Sequence, residues 1–200
     1  MHSSLKTFAC CSLLLVGCGP SLSGTSSTVS IPKASPLGAP TKDNKAENQT
    51  QDSTERLIGG IKFEIQPIWE EKPLSNGMIL AEYSLPGAAG AGRLTFSTAG
   101  GGTGLNMDRW KSQFQRTADD PEPTQTELTI AGKDATFIEV HGGYTDMFGG
   151  GGLKKNWQLL GVAIPVDSDQ VYFVKLTGPK ETLSANREQF LTLVKSARFE

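Results

Sequence analysis

The stretch that decides the fold is a pair of apolar segments, Trp157-Gln-Leu-Leu-Gly-Val-Ala-Ile-Pro-Val166 and Gln170-Val-Tyr-Phe-Val-Lys-Leu-Thr177. Both are rich in valine, leucine, isoleucine and aromatic residues, which favour β-strands. The short polar link Asp167-Ser-Asp169 between them predicts a β-hairpin. Because the first arm is apolar on both of its faces, we expect it inside a sheet that is covered on both sides.

A second predicted hairpin precedes this one in the chain. Its arms are Thr126–Ile130 and Ala135–Tyr144, and Ala131-Gly-Lys133 is the turn between them. Upstream, three segments alternate apolar and polar residues and predict single strands at Ile61–Ile65, Ile79–Leu85 and Arg93–Ser97.

Two predicted helices flank the hairpins. Asn106 is the predicted N-cap of the first helix, and its apolar stripe has helical spacing, at Met107, Trp110 and Phe114. The second helix runs from about Glu181 to Ala197, with Arg187 expected at the edge of its apolar face.

The order of these elements predicts the fold class. Three strands, a helix, two hairpins and a closing helix contain no strand-helix-strand repeat of the kind that forms a parallel sheet. We therefore expect an α+β fold, an antiparallel sheet of six or seven strands with two helices packed on it. The strands that are apolar on both sides favour helices on opposite faces, an α/β/α sandwich.

The N-terminus has the pattern of an export signal. One lysine, Lys6, precedes about ten mostly apolar residues, a length typical of a signal h-region and too short to cross a bilayer. The segment Leu15-Val-Gly-Cys18 then resembles the lipobox of bacterial lipoproteins. This resemblance implies that residues 1–17 are removed and that Cys18 carries lipid. Multiple acylation of this residue gives stable membrane attachment.

The expected location follows from the same resemblance. An aspartate directly after the lipidated cysteine tends to mark retention at the inner membrane of Gram-negative bacteria, and here the residue is Gly19. We therefore expect the cell envelope, at the outer membrane and facing the periplasm. Residues 18–56 are polar and poor in aromatic residues, which predicts a lipidated cysteine followed by a disordered tether. Residues 57–200 are then the globular domain.

Composition excludes several functions for the mature domain. All three cysteines, Cys10, Cys11 and Cys18, lie in the signal or at the lipidation site, so the domain has no thiol for a disulfide or a catalytic nucleophile. The net charge of −2 gives no basic footprint for nucleic acid. No sequence motif indicates a cofactor.

Four segments together resemble a known family. They are Phe63–Trp69, the helix Asn106–Phe114, Gly142-Gly-Tyr-Thr-Asp146 and Tyr172–Pro179. They look like a family of bacterial secreted proteins and lipoproteins whose architecture is similar to the PsbP-like and DcrB-like α/β/α sandwich. The resemblance covers about residues 58–198. It implies a fold and no activity, because that fold serves proteins with no shared chemistry.

His141 is the candidate for catalysis or metal binding. It is the only histidine beyond the signal, and it shares a strand face with Glu139, so a further carboxylate such as Asp146 could complete a metal or acid-base site. Histidine metal sites usually need three or four ligands, and nothing else is spaced to supply them. The alternative is a polar strand residue, and we predict no metal and no catalytic residue.

Two glycine-rich loops are candidate binding elements. The first, Ala99–Gly104, lies between a strand and a helix, a geometry that binds anions, although it lacks both nucleotide-binding motifs. The second, Gly149–Gly152, has apolar and basic neighbours and predicts a binding loop formed by Phe148, Lys154, Lys155 and Trp157.

The favoured function is therefore a membrane-anchored, non-enzymatic binding or accessory module with an envelope protein as partner. Two alternatives stay open at this point. One is a carrier of an apolar small molecule held between sheet and helix. The other is a hydrolase or metal-dependent enzyme centred on His141.

Overall fold

The computed structural model describes residues 53–74, 76–146 and 151–200. The strands in this part of the chain are β1 Thr54–Ile58, β2 Ile61–Ile65, β3 Glu70–Lys72, β4 Ile79–Leu85, β5 Gly92–Ala99, β6 Phe114–Gln115, β7 Thr124–Ile130, β8 Lys133–Tyr144, β9 Lys154–Pro165, β10 Val171–Pro179 and β11 Arg198–Phe199. The helices are α1 Gly102–Ser112, α2 Lys180–Ala185 and α3 Arg187–Lys195.

The main sheet has eight strands and is antiparallel throughout. Its order is β3-β4-β5-β10-β9-β8, and β6 and β7 pair with different parts of β8. The predicted hairpin β9-β10 lies at the centre, with Val171 opposite Pro165 and Leu176 opposite Leu160. The α+β fold class is confirmed. The count of six or seven strands is too low, because β3 and β6 are too short to show a periodic pattern.

A second sheet of three strands, in the order β1-β2-β11, was not expected. Strand β1 begins at Thr54, within the stretch that the sequence assigns to the tether. Its first three residues are polar and exposed, Leu57 is apolar and exposed, and Ile58 alone is buried. The strand is held by its hairpin with β2 and by the Tyr172 hydroxyl, which donates to the Ile58 carbonyl at 2.9 Å. Tertiary pairing, rather than local pattern, creates this strand.

The helices cover opposite faces of the main sheet, as the two-sided apolar strands predict. One face carries α2, α3 and the three-stranded sheet over a large core that includes Phe63, Phe96, Val174, Leu176 and Phe190. The other face carries α1 over a smaller core of Met107, Trp110, Phe114, Ile138, Val140, Leu159 and Phe173.

Both predicted helices differ from expectation in their bounds. Helix α1 begins at Gly102, so Asn106 is not its N-cap but a buried residue of its second turn, and its amide donates to the carbonyls of Gly100 and Gly102. The closing helix is broken into α2 and α3 at Asn186, whose amide donates to the Thr182 carbonyl at 2.8 Å. In both cases an asparagine side chain forms hydrogen bonds with backbone carbonyl groups, at the start of α1 and at the break between α2 and α3.

Candidate functional site

A cleft lies beside α1 on the outer surface of the main sheet. Helix α1 packs on β8 and β9, so the outward residues of β5 are left beside it rather than beneath it. The resulting space has a volume of about 320 Å³. Its lining is mixed, with residues Asn76, Met78, Ile79, Arg93, Thr95, Ser97, Thr98, Ala99, Asn106, Arg109, Trp110, Gln113, Tyr144, Asp146, Phe173 and Lys175.

Lys175 forms the floor of this cleft. It lies in the middle of β10, paired with Thr95 of β5 on one side and with Gly161 of β9 on the other. Its Nζ donates to the Gln113 Oε1 atom at 2.7 Å, and it lies 5.5 Å from the ring centroid of Trp110. The hydrogen-bond partner of this ammonium group is therefore a neutral amide and not a carboxylate.

The surroundings of Lys175 change its proton affinity. Burial lowers the pKa of its amine to about 7, since loss of hydration disfavours the charged form. Asp146 opposes this shift by attraction, whereas Arg93 and Arg109 add to it by repulsion. At neutral pH the amine is thus present in both its charged and its neutral form.

Two arginines border the cleft and differ in their partners. Arg93 binds the Glu82 carboxylate through two hydrogen bonds of 2.8 and 2.9 Å, and this contact raises the pKa of its guanidinium. Arg109 is exposed on α1 and donates to the side-chain oxygen of Asn106, a neutral group. The positive charge of Arg109 is therefore less compensated than that of Arg93.

Aromatic rings form the apolar wall of the cleft. Trp110 contacts Phe173 edge to face, with ring centroids 5.3 Å apart. Tyr144 packs against Phe114 at 5.2 Å, and burial, followed by the nearby Asp146, raises the pKa of its phenol to about 12. Tyr144 consequently stays neutral well above pH 7 and offers a ring face and a hydroxyl.

One feature of the sequence indicates this site, although apolar periodicity alone overlooks it. Lys175 is a single cation within the apolar run Val171-Tyr-Phe-Val-Lys-Leu176 of a strand predicted to be buried. Lysine is rarely buried without a carboxylate partner, so its position marks a site. Arg109 carries no such signal, because a surface helix commonly exposes arginine.

Three of the four predicted binding residues lie on a strand and not in a loop. Lys154, Lys155 and Trp157 belong to β9, and Phe148 lies outside the described residues. Lys154 lies over the Trp157 ring at 4.4 Å, and Trp157 stacks on Tyr144 at 5.4 Å. Trp157 therefore contacts Tyr144, which lines the cleft, but none of the three predicted residues on β9 lines it. Their binding role stays a prediction.

His141 lies on the opposite face of β8 from the cleft. Its Nε2 is 3.3 Å from the Glu139 carboxylate, as the shared strand face predicts. The same carboxylate accepts from Gln158 at 2.6 Å and from Arg187 at 3.2 Å. Asp146 lines the cleft on the other face of the sheet, so it does not complete a site with His141.

Among the residues described, no group of three His, Cys, Asp or Glu side chains is placed to hold a metal ion. In the glycine-rich segment Ala99–Gly104, Ala99 ends β5 and borders the cleft, and Gly102 to Gly104 form the first turn of α1. Anion binding by this segment stays a prediction. Within residues 53–74, 76–146 and 151–200, no helix has the length and apolar character required to span a bilayer.

One solved structure supports the fold. A cyanobacterial PsbP from Synechocystis sp. PCC 6803 shares 12% identity over 82% of this chain and 99% of its own, with a TM-score of 0.50. A Pseudomonas aeruginosa protein of unknown function, described as a putative regulator, shares 15% identity over 70% and 94%, with a TM-score of 0.39. No family model matches the chain. No curated protein matches it either.

The chain thus contains an α+β domain of PsbP-like fold. Structural likeness at 12% identity shows a shared fold and no shared activity.

Proposed function

We propose that this protein is a lipid-anchored, non-enzymatic binding module of the bacterial cell envelope whose cleft holds a small anionic molecule with a flat apolar part. The observation that carries the proposal is the cleft itself. Its volume of about 320 Å³ suits a small ligand, and its lining combines aromatic rings with charged and amide groups that can fix the orientation of a ligand.

Charge supports an anionic ligand. Arg109 and Lys175 both have neutral amides as hydrogen-bond partners, on Asn106 and Gln113. An anion that enters the cleft can therefore form a charge-assisted hydrogen bond with Arg109 without displacing a carboxylate. The ring faces of Trp110 and Tyr144 then suit a flat, apolar body.

The cleft can be tested with anilinonaphthalene sulfonate, a flat aromatic anion that fluoresces in apolar sites. The full chain carrying Cys18→Ser, purified without detergent, should bind it in a salt-dependent manner. Arg109→Gln is expected to raise the Kd about five- to tenfold, because one charge-assisted contact is lost. A fluorescence titration measures this change.

The matched control is Arg198→Gln. Arg198 is an exposed arginine of β11 that bonds Glu55 and Glu64 in the three-stranded sheet, away from the cleft. This variant should bind the probe with unchanged Kd. If both arginine variants bind equally well, the sulfonate does not occupy the cleft and the proposal is wrong.

The membrane attachment has its own test. Its support is the segment Leu15-Val-Gly-Cys18 directly after an apolar stretch. In cells fed an alkyne analogue of palmitate, we expect label on the wild-type chain and on Cys11→Ser but none on Cys18→Ser, which should leave the membrane fraction. Label retained by Cys18→Ser, or absent from the wild type, would rule out this anchor.

A further inference from the structure

We propose that Lys175 captures its ligand covalently and reversibly, by condensation of its ε-amine with the carbonyl group of an anionic aldehyde or ketone whose carboxylate lies at Arg109. This inference rests on the proposed anion-binding cleft and names the chemical class of its occupant.

The position of Lys175 is that of a fixed nucleophile. Its backbone is paired on both sides within the main sheet, so the start of the side chain cannot move. Gln113 holds the amine at 2.7 Å, and the rings of Trp110 and Tyr144 lie 5.5 and 5.8 Å from it. A lysine kept only for structure would be expected to form a hydrogen-bonded pair with a carboxylate when buried. Here the hydrogen-bond acceptor is the Gln113 amide, Asp146 acts through its charge, and the cleft leads to the amine.

The groups around the amine favour its reactive form. The neutral amine is the nucleophile, and a pKa of about 7 leaves about half of it neutral at pH 7. An exposed lysine with an ordinary pKa has only about one molecule in two to three thousand in that form at the same pH. Arg93 and Arg109 disfavour the charged form by repulsion, which is a known way to activate lysine.

The step balances without any further reactant. The lone pair of Nζ forms a bond to the carbonyl carbon while the π bond of the carbonyl breaks and its electron pair moves to oxygen. Transfer of one proton from nitrogen to that oxygen gives a carbinolamine. The carbinolamine then loses its hydroxyl group with a proton from nitrogen, as one water molecule, and leaves a carbon-nitrogen double bond. Proton exchange uses solvent, since the cleft is open to it. No oxidation or reduction takes place, and addition of water reverses the bond.

The cleft also favours one orientation of such a ligand. Arg109 on α1 and Lys175 on β10 line the same cleft, and the rings of Trp110 and Phe173 lie between the helix and the strand. A ligand with a flat body between its carboxylate and its carbonyl matches this arrangement of groups in the cleft. Asp146, which attracts Lys175, would remain beside the imine and stabilise its protonated form.

The test uses 4-formylbenzoate, which has an aldehyde, a ring and a carboxylate, and 4-(hydroxymethyl)benzoate, which lacks the carbonyl group. The full chain carrying Cys18→Ser is incubated at pH 7 with 4-formylbenzoate and sodium cyanoborohydride, which reduces an imine to a stable amine. Peptide mass spectrometry should place one carboxybenzyl group on Lys175 before any other lysine. Labelling of that peptide should exceed labelling of exposed lysines at least ~100-fold in initial rate.

Two variants and one analogue complete the design. Lys175→Met should lose this early labelling, whereas Lys195→Met, which removes an exposed lysine of α3, should retain it. If 4-(hydroxymethyl)benzoate displaces the sulfonate probe but Lys175 is labelled no faster than exposed lysines, the covalent step is wrong and the binding cleft stands. If neither benzoate enters the cleft, both proposals are wrong.

Discussion

Gly161→Ala is expected to lower the free energy of unfolding by about 2 to 3 kcal/mol, the upper range for overpacking a core. A Cβ atom at this position would lie 2.3 Å from Cζ3 and 2.8 Å from Cε3 of Trp110. Neither the backbone at Gly161 nor the Trp110 ring can move easily to relieve this contact. Gly161 is paired on both sides, with Ile138 and Lys175, and the Trp110 ring is fixed against Phe173. Helix α1 must therefore shift away from the sheet.

The measurement is urea unfolding of the full chain carrying Cys18→Ser. Gly104→Ala is the matched control, because this glycine lies in α1 with nothing within 4 Å of the position of a Cβ atom. Alanine favours helix over glycine, so this variant should gain about 0.5 to 1 kcal/mol. If the two variants are equally stable, the close approach of α1 to β9 at Gly161 is incorrect.

Lys175→Met is expected to have the opposite effect and to raise the free energy of unfolding at pH 7 by about 3 kcal/mol. One pKa unit corresponds to about 1.4 kcal/mol, and the lowering from 10.5 to about 7 sets an upper limit. The expected value is smaller than this limit because Lys175 retains some solvent contact and because Gln113 loses its hydrogen-bond donor.

The pH dependence gives this prediction its sign. In the folded chain the amine loses its proton near pH 7, whereas in the unfolded chain it does so near its ordinary pKa of 10.5. Between these values the unfolded chain binds more protons, so wild-type stability rises with pH. The advantage of Lys175→Met should thus be full below pH 7, begin to fall near pH 7 and vanish by about pH 10.5.

Lys195→Met serves as the control, since it removes an exposed lysine and should change stability by less than about 0.5 kcal/mol. Unfolding curves at several pH values compare the three proteins. A constant difference between the wild type and Lys175→Met from pH 7 to 10.5 would show that the amine is not desolvated. A lysine that costs stability at its position is what a binding site retains for its function.

The two sheets differ in how far the sequence specifies them. Strands β4, β9 and β10 can be predicted from their sequences. A strand buried on one face has alternating apolar residues, and a strand buried on both faces has continuous ones. Strand β1 has no such pattern. Its exposed residues resemble those of the polar N-terminal stretch in composition. The strand forms because its backbone is hydrogen-bonded to β2 and to the Tyr172 hydroxyl.

The candidate site shows the same division. The sequence places Lys175 in an apolar strand and Trp110 on the apolar stripe of a helix, and both positions are confirmed. It also leaves Asp146 open as a partner of His141, whereas in the structure the two lie on opposite faces of the sheet. Residues that share a site but lie far apart in sequence leave no periodic signal.

By itself, therefore, the sequence determined the fold class, the central hairpin and the presence of helices on both faces, because each depends on apolar periodicity within one segment. Only the tertiary structure decided that α1 covers β8 and β9 and leaves Lys175 facing a cleft. The physical reason is close packing. Gly161 lets the Trp110 ring approach the sheet, and this contact sets where the helix lies and which side chains remain uncovered.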